Sequence, residues 1–140
     1  MNIKQIIVVR EDLLEQMDKG KLSAQVAHAS MLVIFKKMRG FSQSLVTKNE
    51  ESYRLILDIK NNSNLKEWIE GDYKKIVVII KNESKLLELH KKLSENNIVS
   101  ELVEDLGYTV FEEKTITCLG IEPLNNDIID PYTKRLRLLK

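Results

Sequence analysis

The sequence predicts an α/β domain built in layers, and three observations carry that prediction. Ile3 to Arg10 and residues 75–81 are continuous, β-branched apolar runs, the pattern of strands covered on both faces. Stretches of helical period stand between the apolar runs, so strands and helices alternate along the chain. The chain has 140 residues, 43% of them hydrophobic, which is enough for one domain with a substantial core.

Taken in order, the first strand ends in charge at Arg10, and residues 11–19 read as a polar loop broken by Gly20. A long helix follows over residues 21–38 and stops near Gly40. Its apolar stripe is Leu22, Val26, Ala29 and Val33. Beside that stripe Lys21, Gln25 and His28 stand at i, i+4 and i+7, so a cation, an amide and an imidazole share one edge. They lie near a helix N-terminus, where partial positive charge collects, so the corner suits anions. Residues 53–60, YRLILDIK, read as an extra strand, and the turn cluster 61–64 caps a short helix over 65–70 that Gly71 closes.

After the second apolar strand, Asn82 caps a helix running to about Glu95, with Leu86, Leu89 and Leu93 on its buried face. Residues 98–103 form the third strand, 104–114 a loop, and Thr115 to Ile121 the fourth strand, which Glu122 and Pro123 terminate. One helical turn at 125–130 precedes a basic, leucine-bearing tail from Tyr132. No internal repeat or low-complexity linker interrupts the chain, so residues 1–140 are expected to form a single domain.

Composition excludes several classes. Lys and Arg number 22 against 21 Asp and Glu, a formal charge of +1, so any contact with RNA must come from a local patch. The lone Cys118 rules out an internal disulfide and fits a reducing, cytoplasmic setting. Two histidines and one cysteine are too few for the usual protein-only zinc sites, so no metal is expected. The apolar runs are too short for a membrane span or signal peptide. The glycine-rich dinucleotide and phosphate loops and the serine-hydrolase elbow are all missing.

Chemistry in an open α/β sheet gathers where strands end in loops. One such loop leads into Lys21. Another, Glu104-Asp105-Leu106-Gly107-Tyr108-Thr109, offers a carboxylate, a glycine and a hydroxyl. Brought together, the two supply Lys21, Gln25, Asp105 and Thr109 around one pocket. The carboxylate would orient or deprotonate a water, and the lysine would stabilise a developing oxyanion. His28 reads as a structural histidine packed near the sheet, His90 as a solvent-facing residue, and Cys118 and Trp68 as core.

These residues also carry a resemblance. KGKLSAQVAHA is similar to the signature GKGKxAAQxxHA of the type 2 peptidyl-tRNA hydrolases. ELVEDLGYTVFEEKTITCLGIEP resembles that family's D-x-G-x-T loop and last strand, and DIIDPYTKRLRLL its C-terminal segment. The resemblance implies a three-layer α/β sandwich, with a four-stranded mixed sheet and helices on both faces, often a homodimer. It implies hydrolysis of the ester between a peptide and tRNA, without metal or cofactor and away from membranes. Residue by residue it points to Lys21, Gln25, Asp105 and Thr109 as catalytic and His28 as supporting. Lys19, Lys36, Lys37 and Arg39 are the cations expected to meet tRNA phosphates. The alternative on the same scaffold is a non-catalytic module that binds tRNA or a protein. The sequence departs from the family at Asp18, Leu106, Tyr108, Val110 and Lys114, and residues 41–60 form a divergent insertion.

Overall fold

A computed structural model describes residues 2–39, 52, 54–108 and 111–140. Four long strands, β1 (Ile3–Arg10), β2 (Lys75–Ile80), β3 (Ser100–Asp105) and β4 (Thr115–Ile121), form a sheet in the order β2-β1-β4-β3. β1 runs parallel to β2 and antiparallel to β4, and β4 is antiparallel to β3, so the sheet is mixed. A short β5 (Leu124–Asn125) pairs with the start of β1. The helices are α1 (Lys19–Phe35), α2 (Asn64–Glu70), α3 (Glu83–Glu95) and α4 (Asn126–Thr133).

The continuous apolar run of β1 is explained by a core on each face of the sheet. Ile6 and Val8 join Leu86, Leu89 and Leu93 of α3 and Ile129 of α4. Ile7 and Val9 point the other way and join Ala29 of α1, with Leu22 and Val26 packed beside it. Helices on both faces of one mixed sheet make the three-layer sandwich that the resemblance implied. Polar clamps reinforce the layers. Gln5, fully buried on β1, donates to Ser30 O at 3.1 Å and accepts from Ser30 Oγ at 2.6 Å, which ties α1 to the sheet. Arg10 bonds Asp12, Glu83 and the carbonyl of Ile116, joining four segments at the carboxyl end of β1.

Several boundaries differ from the sequence expectation. Residues 11–16 are not plain loop: Glu11–Gln16 is a 3-10 turn that buries Leu13, and Met17 beyond it is buried too. α1 begins at Lys19, because the Asp18 carboxylate caps it by accepting the Lys21 N–H at 2.8 Å. Gly20 therefore sits inside the first turn instead of breaking a loop. α1 also stops at Phe35, short of residue 38. β3 is displaced by two residues, to Ser100–Asp105, since its ladder with β4 continues to the Asp105–Thr115 pair. Asp105 is thus a strand terminus, not a loop residue. α4 runs on to Thr133, well beyond one turn.

Among the described residues of 53–60 there is no extra strand; Ile56 makes an isolated bridge to Arg39. Tyr53 and most of the divergent insertion lie outside the described residues. The basic tail covers the outer edge of β2. Ile79 donates to Arg137 O at 2.9 Å and Leu139 to Val77 O at 3.0 Å, which removes an open strand edge. Among the described residues no helix is long and apolar enough to cross a membrane.

Candidate active site

The carboxyl end of β3 meets the first turns of α1 at Asp105, which is 8% exposed. Its Oδ2 accepts hydrogen bonds from Lys21 Nζ, as an ion pair, and from Gln25 Nε2 at 3.2 Å. Its Oδ1 accepts the Gly107 N–H at 2.9 Å. Lys21 and Gln25 are one helical turn apart, so both reach the same oxygen. The Lys21 side chain is itself only 15% exposed, and its ammonium lies 5.8 Å from the centre of the buried Phe111 ring.

The Lys21 hydrogen bond holds the Asp105 carboxyl below the usual carboxylate range, against burial, which pulls it upward. The Gly107 N–H and the positive charges of Lys21 and His28 lower it further. Gly107 adopts φ +84°, and a Cβ there would lie 2.9 Å from the Glu113 backbone. Only glycine fits this turn while presenting its N–H to Asp105.

Behind Asp105 stands a layer that the sequence reading missed. The Thr117 hydroxyl, fully buried on β4, donates to Gln25 Oε1 at 2.5 Å. With its oxygen so engaged, the Gln25 amide must turn its Nε2 toward Asp105. The β3–β4 register explains how Thr117 reaches α1. Val103 pairs with Cys118 but Glu104 pairs with Ile116, so Thr117 is the extra residue of an irregularity. Such a bulge turns two successive side chains to one face. Cys118 accordingly donates its S–H to Gln25 O at 3.2 Å. Burial pushes the Cys118 thiol up to about 12, so it stays protonated and is no nucleophile. The available signal was a hydroxyl within an otherwise apolar strand, TITCLGI.

A stability prediction follows from this layer. Thr117→Val strands Gln25 Oε1 without its donor in a buried place, at about 1–3 kcal/mol. Thr117→Ser restores the donor and should recover most of that loss. Urea unfolding of the two variants is the check, and equal midpoints would remove Thr117 from the account.

The structure brings Lys21, Gln25 and Asp105 together as the sequence suggested, whereas Thr109 lies outside the described residues. His28 is exposed, not packed near the sheet; it follows Lys21 and Gln25 along one stripe and faces Asp105 only as a more distant charge. His90 is not simply solvent-facing, because its Nδ1 lies 2.7 Å from the buried Ser100 Oγ. Trp68 and Cys118 are core residues.

The four expected tRNA-facing cations divide into two groups. Lys19 is exposed at the start of α1, while Lys36, Lys37 and Arg39 follow its end. The 17 residues of α1 separate them by about 25 Å at roughly 1.5 Å per residue. Lys37 pairs with Glu122 at 2.9 Å and Arg39 with Asp58 at 2.7 Å.

A groove of about 340 Å³, lined by His28, Met31, Leu32, Phe35, Val103 and Glu104, opens along α1 beside Asp105. A larger cavity of about 570 Å³, lined in part by Lys37, Asp58 and Glu122, lies toward the other end of β4. Size therefore does not mark the site; the convergence of polar groups on Asp105 does.

Comparison with known proteins identifies the family. The family model described as Peptidyl-tRNA hydrolase PTH2 matches residues 3–139. The chain is 35% identical to a peptidyl-tRNA hydrolase of Saccharolobus islandicus (strain L.S.2.15 / Lassen #1), over 98% of this chain and 99% of that one. It is 36% identical to the peptidyl-tRNA hydrolase of Methanopyrus kandleri, over 98% of each chain. To that of Sulfurisphaera tokodaii it is 36% identical, over 99% of this chain and all of the relative. A family match over nearly the whole chain, on a three-layer α/β sandwich whose Asp105 is gripped by Lys21 and Gln25, leads to one conclusion: the chain belongs to the peptidyl-tRNA hydrolase PTH2 family.

Proposed function

We propose that this chain hydrolyses the ester between a peptide and tRNA, with Asp105, Lys21 and Gln25 as its machinery. The observation that carries the reading is the Asp105 carboxylate, fixed by Lys21, Gln25 and the Gly107 N–H, in a chain of this family. In the reaction a water oxygen bonds to the ester carbonyl carbon and the bond to the ribose oxygen breaks. One water proton ends on the ribose hydroxyl and the other on the released carboxyl group, which ionises at neutral pH.

A carboxylate held below its usual range is a weak proton acceptor, because general-base catalysis favours a pKa near the working pH. Asp105 is therefore better suited to orient the water than to deprotonate it. A carboxylate has about four lone-pair directions. Two on Oδ2 and one on Oδ1 are engaged by Lys21, Gln25 and Gly107, which leaves a direction on Oδ1 for the water. The Lys21 ammonium, in a site largely shielded from solvent, stabilises negative charge as it develops on the carbonyl oxygen. His28 supports the carboxylate electrostatically, and Thr109, two residues beyond Gly107, supplies a further hydroxyl. The apolar groove along α1 supports accommodation of the peptide.

Lys19 meets acceptor-end phosphates beside the site, and Lys36, Lys37 and Arg39 meet them farther along the molecule. In this reading residues 1–140 act as one domain and work in the cytoplasm, as the composition suggests, and assemble as a homodimer, as the family resemblance suggests. The test is release of tRNA from an N-blocked aminoacyl-tRNA at two salt concentrations. Turnover with an affinity that falls as salt rises is the expected result. Binding without turnover would instead make the chain a non-catalytic tRNA-binding module.

Asp105 also fixes an acid dependence. A carboxyl whose native pKa is lowered contributes stability fully above its unfolded value of about 3.9, and loses it as pH falls through the lowered native value. Stability arising from Asp105 should thus be level from pH 5 to 8 and decline only below about 4. Urea unfolding across pH 3–7 should show a shallower acid slope for Asp105→Asn than for wild type. Matching slopes would count against the ion pair as drawn.

A further inference from the structure

We infer that the loop tip at Tyr108 is a stacking platform for the base of the 3′-terminal nucleotide of the tRNA. The inference rests on the proposed hydrolysis and specifies how that site holds its substrate. Tyr108 is 86% exposed, and Leu106 on the same tip is 54% exposed. A tyrosine presented to water in this way makes no packing contribution, yet its stem is firmly held. The Asp105 carboxylate bonds the Gly107 N–H, and Gly107 lies against the Glu113 backbone. The result is an exposed aromatic ring one residue beyond a fixed turn, open to a ligand on its face.

Position identifies the ligand. The scissile ester sits on the ribose of the last nucleotide, so when its carbonyl reaches Asp105 the base on that ribose is one sugar away. Tyr108 follows Asp105 by three residues, and even an extended chain keeps the two Cα atoms within about 11 Å. The turn at Gly107 brings them closer. Whatever base the terminal ribose carries must lie within reach of this ring. Charge points the same way, since Glu104, Glu112 and Glu113 lie within five residues of Tyr108 in the sequence and are exposed. Carboxylates disfavour a phosphate there, whereas the uncharged face of a purine stacks on an aromatic ring regardless of them.

The experiment is a protein–substrate double-mutant cycle in the tRNA-release assay. Wild type and Tyr108→Ala are each given an N-blocked aminoacyl-tRNA with its normal terminal adenosine, or one whose terminal ribose lacks a base. Base–aromatic stacking is worth roughly five- to 150-fold. Tyr108→Ala should therefore raise KM about tenfold, with the loss on KM rather than kcat, and Tyr108→Phe should restore it. Removing the base should harm wild type to the same degree and Tyr108→Ala hardly at all. The salt slope should stay that of wild type, since stacking releases no counterions. Losses that simply add across the cycle, or a Tyr108→Phe variant as weak as Tyr108→Ala, would overturn the stack while leaving the hydrolase reading intact. Failure of wild type to release tRNA from either substrate would overturn both.

Discussion

Gly120→Ala is expected to lower the melting temperature by about 10 °C or more and to impair the active site, although residue 120 touches no substrate. A Cβ at Gly120 would stand 2.1 Å from Ala29 O and 2.8 Å from Ala29 C, both backbone atoms of α1. Backbone cannot rotate aside as a side chain can, so α1 must lift from the sheet. Overpacking a close-packed core costs typically 1–3 kcal/mol and sometimes more. In a chain of this length each kcal/mol corresponds to about 3–5 °C. Lifting α1 also draws Gln25, one turn before Ala29, away from Thr117 and Cys118. The reverse exchange at an exposed residue of α1, Ala24→Gly, alters helix propensity by only about 1 kcal/mol and serves as the scale. Thermal unfolding with tRNA release distinguishes the two effects. A Gly120→Ala protein as stable as Ala24→Gly would show that the helix–sheet approach is looser than drawn.

The layers are legible because strands covered on both faces carry unbroken apolar runs, and β1 has one over residues 6–9 and β2 over residues 76–80. Asn82 and Ser63 were legible as caps, or as part of a capping turn, because a short polar side chain before an apolar period has one common use. The bounds of β3 are not legible because SELVED is half charged; Glu104 faces solvent at the sheet edge, and pairing with β4 keeps the segment extended. A loop reading of Asp105 follows, yet the residue and the glycine two positions on are both visible in the sequence, and the structure joins them through the Gly107 N–H. Lys21 and Gln25 were visible through helical spacing. Thr117 was not, because its value depends on a register irregularity that places it against Gln25, and a one-residue shift between two strands leaves no trace in composition. The exposure of His28 is equally hidden, because the same stripe holds Gln25, which is buried.

Asp105→Asn is expected to lower kcat by about 100- to 1,000-fold, the scale for removing one preorganised electrostatic group from a solvent-shielded site. The substitution preserves size and an oxygen acceptor, so the Gly107 turn and the position of α1 should survive. What is lost is the negative charge that fixes Lys21 and Gln25 on one oxygen. Without it the ammonium can swing to solvent, and the water loses its anchor. Lys21→Ala should fall by a similar factor, because it removes the charge facing the oxyanion and leaves Asp105 without its ion-pair partner. Since both residues act through one contact, the double variant should be little worse than either single one. Multiplying losses would mean that the two groups serve separate steps, and wild-type rates in either single variant would move the chemistry elsewhere. Circular dichroism and melting curves on all three proteins keep a folding defect from being mistaken for a catalytic one. Cooperative melts from a native-like spectrum, lowered by no more than loss of the ion pair costs, together with collapsed, non-multiplying rates, are the result that would place the reaction at the junction of β3 and α1.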